Sequence, residues 1–334
     1  MRDTITLGFG VALFTAFSVL SPMDARAAEC APQKISTSVD LIMHPSGVPL
    51  APVTLAGKQK LMIVDTGGYV GELFPAAVRQ LGLQAGGPSS RGVVGVDGVL
   101  SRTTVIVPDF VLGSLRAANY KLIMASGEDT GDIPDDQPSG LLAPDILQNY
   151  DADFDFGSGK LNLIDPNHCK GQVVYWQARN VATIPFRMDK SFHIVFPVTV
   201  DGKKLDAVLD TGASQTIMNL SVATSVFRLK TDAADVEKIG ELKGEAYTAD
   251  VYRRRFKTIA FGGITVSDPV ITLLPDMTKN YFPQRTPIGS LIPDSSQPRG
   301  LQQLLLGMST LSKLHVYIAY KERRLYISEA APAQ

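Results

Sequence analysis

The chain is an internal duplication, and each copy carries the triplet Asp-Thr-Gly at the end of an apolar run. Leu61-Met62-Ile63-Val64 precedes Asp65-Thr66-Gly67, and Ala207-Val208-Leu209 precedes Asp210-Thr211-Gly212. The segments leading into them, Val53-Thr54-Leu55-Ala56-Gly57-Lys58 and Val198-Thr199-Val200-Asp201-Gly202-Lys203, align without a gap at an offset of 145 (210 minus 65). A lone Asp-Thr-Gly arises by chance in roughly one chain of this size in twenty at average residue usage. Two in the same register of a repeated segment mark a repeat, and a repeat constrains architecture before any other signal. A strand ending in Asp-Thr-Gly presents a carboxylate on a tight turn at the edge of a core. Two such turns, one per copy, can set two carboxylates face to face.

A second pair of segments closes each copy. Leu141-Leu142-Ala143-Pro144-Asp145 leads to Phe154-Asp155-Phe156 and Leu161-Asn162-Leu163; Leu305-Leu306-Gly307-Met308-Ser309 leads to Ile318-Ala319-Tyr320 and Leu325-Tyr326-Ile327. These align at an offset of 164 (305 minus 141), so the second copy holds 19 extra residues (164 minus 145) between its anchor segments. Short Val/Ile/Thr-rich runs separated by Gly, Pro and Asp predict a mostly β chain. With 45% hydrophobic residues, 19% charged residues and a formal net charge of −1, the composition is that of a folded protein. It excludes a nucleic-acid binder that works through a basic field.

With these motifs the chain resembles the pepsin and retropepsin superfamily of aspartic proteases, and looks most like its bacterial retropepsin-like branch. Asp65-Thr66-Gly67-Gly68, Asp210-Thr211-Gly212-Ala213 and Leu305-Leu306-Gly307 carry the resemblance. It implies a bilobal acid-protease fold of two retropepsin-like β-barrel lobes with the active site between them. Asp65 and Asp210 would then be a catalytic dyad that activates water for peptide hydrolysis. Thr66, Gly67, Thr211 and Gly212 would support the two catalytic loops. No metal or cofactor is expected: His44, His168, His193 and His315 are scattered without ligand spacing. The expected partner is a peptide or protein substrate. With both triplets in one chain, a monomer suffices for activity. The alternative is a peptide-binding pseudoprotease that keeps the cleft without turnover. Two departures stand out: Ala143 where Gly is expected, and Ser309 where the first copy has Asp145.

The resemblance also implies a β-hairpin flap over each half of the cleft. In the first copy the candidate is Gly92 to Gly98, with Gly95, Val96 and Asp97 as substrate contacts; in the second it is Gly244 to Val251, with Tyr247 near the tip. Gly68 and Ala213 stand where acid-adapted relatives carry a hydroxyl that would lower the carboxylate pKa, so a weakly acidic to neutral optimum is expected. The acidic stretch 126–139 is a solvated loop or an acidic rim favouring basic peptides.

Residues 1–27 read as a secretory signal peptide cut after Ala27, because Ile5 to Leu20 is apolar and Ala25-Arg26-Ala27 offers a small-residue site. The apolar run is shorter than the ~20 residues that span a bilayer. The mature protein is therefore expected to be exported, periplasmic or secreted, with no stable membrane insertion after cleavage. The remaining chain divides into a first lobe (28–170), a linker (171–190) and a second lobe (191–330). Cys30 and Cys169, at the ends of the first lobe, suit a disulfide in an oxidising compartment; two free thiols are the alternative. Trp176, the only tryptophan, is expected in a strand of an inter-lobe sheet.

Overall fold

The computed structural model describes residues 30–94, 100–244, 247–275 and 303–331. The segment read as a signal peptide and the expected first flap tip with Gly95, Val96 and Asp97 lie outside these residues. The described residues are mostly strand and form three sheets.

Each copy starts with the same hairpin. Strands Pro49–Leu55 and Lys58–Val64 pair in the first, and Ile194–Val200 and Lys203–Leu209 in the second. Their two-residue turns, Ala56-Gly57 (φ 50° and 78°) and Asp201-Gly202 (φ 44° and 77°), both take positive φ. That is the primed-turn geometry whose twist matches paired strands, and it explains the repeated Gly at the second position. In each copy the strand entering the triplet then receives a parallel partner from the closing segment. Ile63–Val64 pairs with Leu141–Leu142, and Ala207–Leu209 pairs with Leu304–Leu306. Met62, Val64, Leu142, Leu209 and Leu306 are fully buried in the core beneath the triplets.

The third sheet joins the copies. Its six strands run Ile35–Asp40, Lys160–Ile164, Asp151–Asp155, Leu314–Ala319, Arg324–Glu329 and Ala182–Pro185, three from each copy. At its centre Asp153 opposes Tyr317, its own repeat position at offset 164, and Ala152–Ile318 mirrors Phe154–Val316. The pseudo-two-fold axis therefore passes through that pair. The outer strand Ala182–Pro185 lies within the stretch read as a linker, where Arg187–Met188 forms a second strand.

Trp176 corrects its expectation. Residues 172–176 form no strand; they cross the face of the six-stranded sheet instead. Both edges of that sheet are already defined by Ile35–Asp40 and Ala182–Pro185. Trp176 stacks on His315 (centroids 4.1 Å, 7° between planes) and donates from Nε1 to Ser328 Oγ at 3.0 Å. Cys30 and Cys169 form a disulfide that ties the first copy's N-terminal segment to the end of its last strand.

Candidate active site

The two triplet turns meet across the lobe interface through their threonines. Thr66 Oγ1 donates to the Leu209 carbonyl (2.9 Å), and Thr211 Oγ1 donates to the Val64 carbonyl (2.6 Å). Each hydroxyl also accepts the opposite backbone N–H, Thr66 N to Thr211 Oγ1 at 3.1 Å and Thr211 N to Thr66 Oγ1 at 3.0 Å. Every bond has its symmetry mate at an offset of 145. Both threonines are buried, so this interlock is dry and rigid.

The carboxylates lie on top of it. Asp65 N donates to the Leu142 carbonyl at 2.9 Å and Asp210 N to the Leu306 carbonyl at 3.1 Å, which anchors each turn to the segment behind it. Gly67 N donates to Asp65 Oδ1 (2.9 Å), while Gly212 N and Ala213 N donate to Asp210 Oδ1 (2.9 and 3.0 Å). The glycines also make room across the interface. A Cβ at Gly67 would fall within 3.0 Å of the Asp210 carboxylate, and one at Gly212 within 3.0 Å of that of Asp65. Only glycine lets the two carboxylates approach this closely.

Proximity and burial set their protonation. Burial raises the pKa of Asp65 against the opposing pull of the Gly67 and Gly68 amides, a hydrogen bond with Asp210 and the charge of His193. Burial and then the Asp65 charge push Asp210 up to about 7, against the Gly212 and Ala213 amides and His193. A carboxyl pair of this kind holds one proton between its members, because two charges so close in a buried site are costly.

Both departures from the repeat have a physical account. Asp145 Oδ1 accepts Gly71 N (2.8 Å), and Ser309 Oγ accepts Thr216 N (2.9 Å); these are equivalent positions, so the serine does the carboxylate's work. The extra methyl of Ala143 is accommodated because Gly68 has none: a Cβ at Gly68 would lie 3.2 Å from Ala143 Cβ and 2.9 Å from Asp65 Oδ2. In the second copy Ala213 carries the methyl and Gly307 does not. Gly68→Ser alone is therefore expected to crowd the turn and cost about 1–3 kcal/mol. Adding Ala143→Gly should recover most of that loss and, with a hydroxyl near Asp65, move the pH optimum to lower pH. Urea unfolding of the single and double variants checks this; a double variant no more stable than the single would contradict it.

Around the dyad the fold gathers two residues that local sequence did not mark. His193 was one of four scattered histidines, but it lies beside the two Asp-Thr-Gly turns. Its Nδ1 is 3.0 Å from Asp189 Oδ2, on a turn whose Phe192 has φ 65° and stacks on Tyr69 of the first copy (5.8 Å). Burial lowers the imidazole pKa, but Asp189, Asp210 and the Gly67 backbone outweigh it, so the net shift is upward. Glu72, seven positions past Asp65, is 8% exposed; burial, then the charges of Asp65 and Asp145, raise its pKa to about 7.

The expected flaps are hairpins. Ala85–Val94 pairs with Leu100–Leu112, and Val236–Gly244 with Tyr247–Arg255. Tyr247 opposes Gly244 in the last pair before the second tip. The acidic 126–139 stretch is largely exposed, as a solvated loop is; Arg79 pairs with its Asp129 and Asp132 (2.9 Å), and Lys60 pairs with its Asp135 (3.1 Å).

Two mostly β lobes, each offering one Asp-Thr-Gly turn to a shared centre, define an acid-protease fold. Residues 196–310 match the family model described as aspartyl protease. That match lies within the second copy and covers 115 of the 334 residues. No curated protein matches the chain. Among solved structures it is similar to Basic 7S globulin from soybean, at 10% identity and a TM-score of 0.47, over 89% of this chain and 95% of that one.

Proposed function

We propose that the protein is an exported aspartic endopeptidase acting through Asp65 and Asp210. The observation that carries this reading is the cross-lobe packing of Gly67 against the Asp210 carboxylate and of Gly212 against that of Asp65. A pair sharing one proton has both a base and an acid at hand. The ionised carboxyl takes a proton from water bound between the two, and the protonated one donates to the scissile carbonyl. The tetrahedral diol then collapses as a proton passes to the departing amine. Thr66 and Thr211 hold the turns in register through this cycle.

Export is supported by the N-terminal segment and by the Cys30–Cys169 bridge. Among the described residues no helix is long and apolar enough to cross a membrane. One chain supplies both turns, so a monomer is sufficient.

Activity should hold through the weakly acidic range and fall as pH rises through about 7, where the shared proton is lost. The same upward shifts mean that the folded dyad binds more protons than the unfolded chain between about pH 4 and 7, so its contribution to stability declines as pH rises across that window. A pH–rate profile on a cleaved peptide checks the first statement, and a peak near 3 would sink it. Peptide-library digestion by the purified protein, blocked by a statine-containing peptide, tests the endopeptidase reading. Absence of cleavage across the library would reject it.

A further inference from the structure

Glu72 is a buried carboxyl with nothing to hold it. Among the described residues no hydrogen bond or ion pair reaches its side chain, and the charges acting on it, Asp65 and Asp145, are both acidic. A largely buried acid without a protein partner leaves its carboxyl open to a group that the chain does not supply.

Its position says which partner. In the strand Lys58–Val64, Met62 and Val64 are fully buried in the core, so Ile63 and then Asp65 project from the opposite face. Side chains that oppose each other across a ladder share a face, and the register runs Ile63 to Leu141, Leu141 to Glu72 and Glu72 to Ile123. The neighbours of Glu72 confirm the alternation: Leu73 is fully buried, and a side chain at Gly71 would run into Leu122 and Ile146. Glu72 thus lies on the same face as the catalytic Asp65, at the end of an apolar floor made by Ile63, Leu141 and Ile123. The fold does not demand an acid there, since the equivalent position in the second copy is Ile217.

An apolar floor ending in an unpaired carboxyl fits a long aliphatic stem with a cationic head. We propose that Glu72 is a specificity-determining residue that receives a Lys or Arg side chain of the bound peptide beside the scissile bond. This rests on the endopeptidase reading above. In the acidic 126–139 loop Arg79 and Lys60 offset two of the five negative charges, and the loop is largely exposed, where a charge pair contributes little.

Matched peptides that differ only in Lys or Met at each position flanking the cleaved bond test the proposal. At one position Lys is expected to raise kcat/KM by about tenfold or more, the scale of a charge-assisted hydrogen bond in a buried site. Glu72→Gln and Glu72→Met, which keep the side-chain length, should bring that ratio close to one. No Lys preference, or a preference kept in both variants, would overturn it. If the wild-type protein cleaves none of the peptides, the endopeptidase reading fails by itself. Calorimetric affinities of the same Lys and Met peptides then decide the role of Glu72: a Lys advantage lost in the variants upholds it, and equal affinities reject it.

Discussion

Asp65→Asn or Asp210→Asn is expected to abolish peptide cleavage, each lowering kcat by roughly 10³-fold or more. The amide keeps the shape of the carboxyl and can still accept the backbone N–H of Gly67 or Gly212, so the turns should persist. What it cannot do is exchange a proton at the working pH. Because the two carboxyls act as one proton-sharing unit, the double variant should be little worse than either single one. Stability should move the other way. The wild-type dyad is held with raised pKa values by burial and mutual charge, so ionising it above about pH 7 works against the fold. Asp210→Asn removes that term, and its melting temperature at pH 8 should equal or exceed that of the wild type. Loss of activity together with retained stability would place the defect in the chemistry. Retained cleavage in either variant would refute the assignment of the dyad.

The second large effect lies on the far side of the molecule, in the six-stranded sheet. Asp153, fully buried from the first copy, accepts from His315 Nε2 of the second copy at 2.6 Å, from Asn162 Nδ2 at 3.0 Å and from the Tyr175 hydroxyl. Beside it, buried Asp151 is bound by His168 Nε2 (2.8 Å) and the Tyr317 hydroxyl (3.1 Å). Of these, the His315–Asp153 and Tyr317–Asp151 bonds join the second copy to the first across the pseudo-two-fold axis. His315→Ala leaves the Asp153 carboxylate short of its main partner in a dry setting and removes the ring on which Trp176 stacks. Breaking a buried pair in this way should destabilise the protein by about 3–5 kcal/mol. Urea unfolding followed by the fluorescence of Trp176, the only tryptophan, measures it directly. Replacing Asp153 and His315 together by Leu should cost less than His315→Ala, because no charge is then stranded. A single-variant loss under about 1 kcal/mol would show that the network carries little of the stability.

Much of the fold was legible because a duplication is visible in one dimension. The offsets of 145 and 164 matched the hairpins, the Asp-Thr-Gly turns and the closing segments, and the structure keeps every one of those correspondences. Local chemistry also carried through: Gly57 and Gly202 sit where the primed turns need positive φ. Trp176 was misread because its apolar run has strand composition, and composition alone cannot tell a strand from a segment laid across a sheet face. Ala143 and Ser309 looked like departures because each was compared, position by position, with its repeat and with the pattern that the resemblance implies. Their compensation lies in spatial neighbours, Gly68 and Thr216.

The amino-acid order by itself thus determined two Asp-Thr-Gly turns, the duplicated β architecture and the two aspartates that the fold brings together. Tertiary structure decided what surrounds them. It locked Thr66 to Leu209 and Thr211 to Val64, set His193 beside the turns, left Glu72 buried without a partner and joined Asp153 to His315. The physical reason is the reach of each signal. Turns and strand alternation are set by neighbours a few positions away, whereas the Thr66–Leu209 and Asp153–His315 bonds span 143 and 162 positions. No pattern within a single copy encodes contacts of that range; they exist only once the two copies pack.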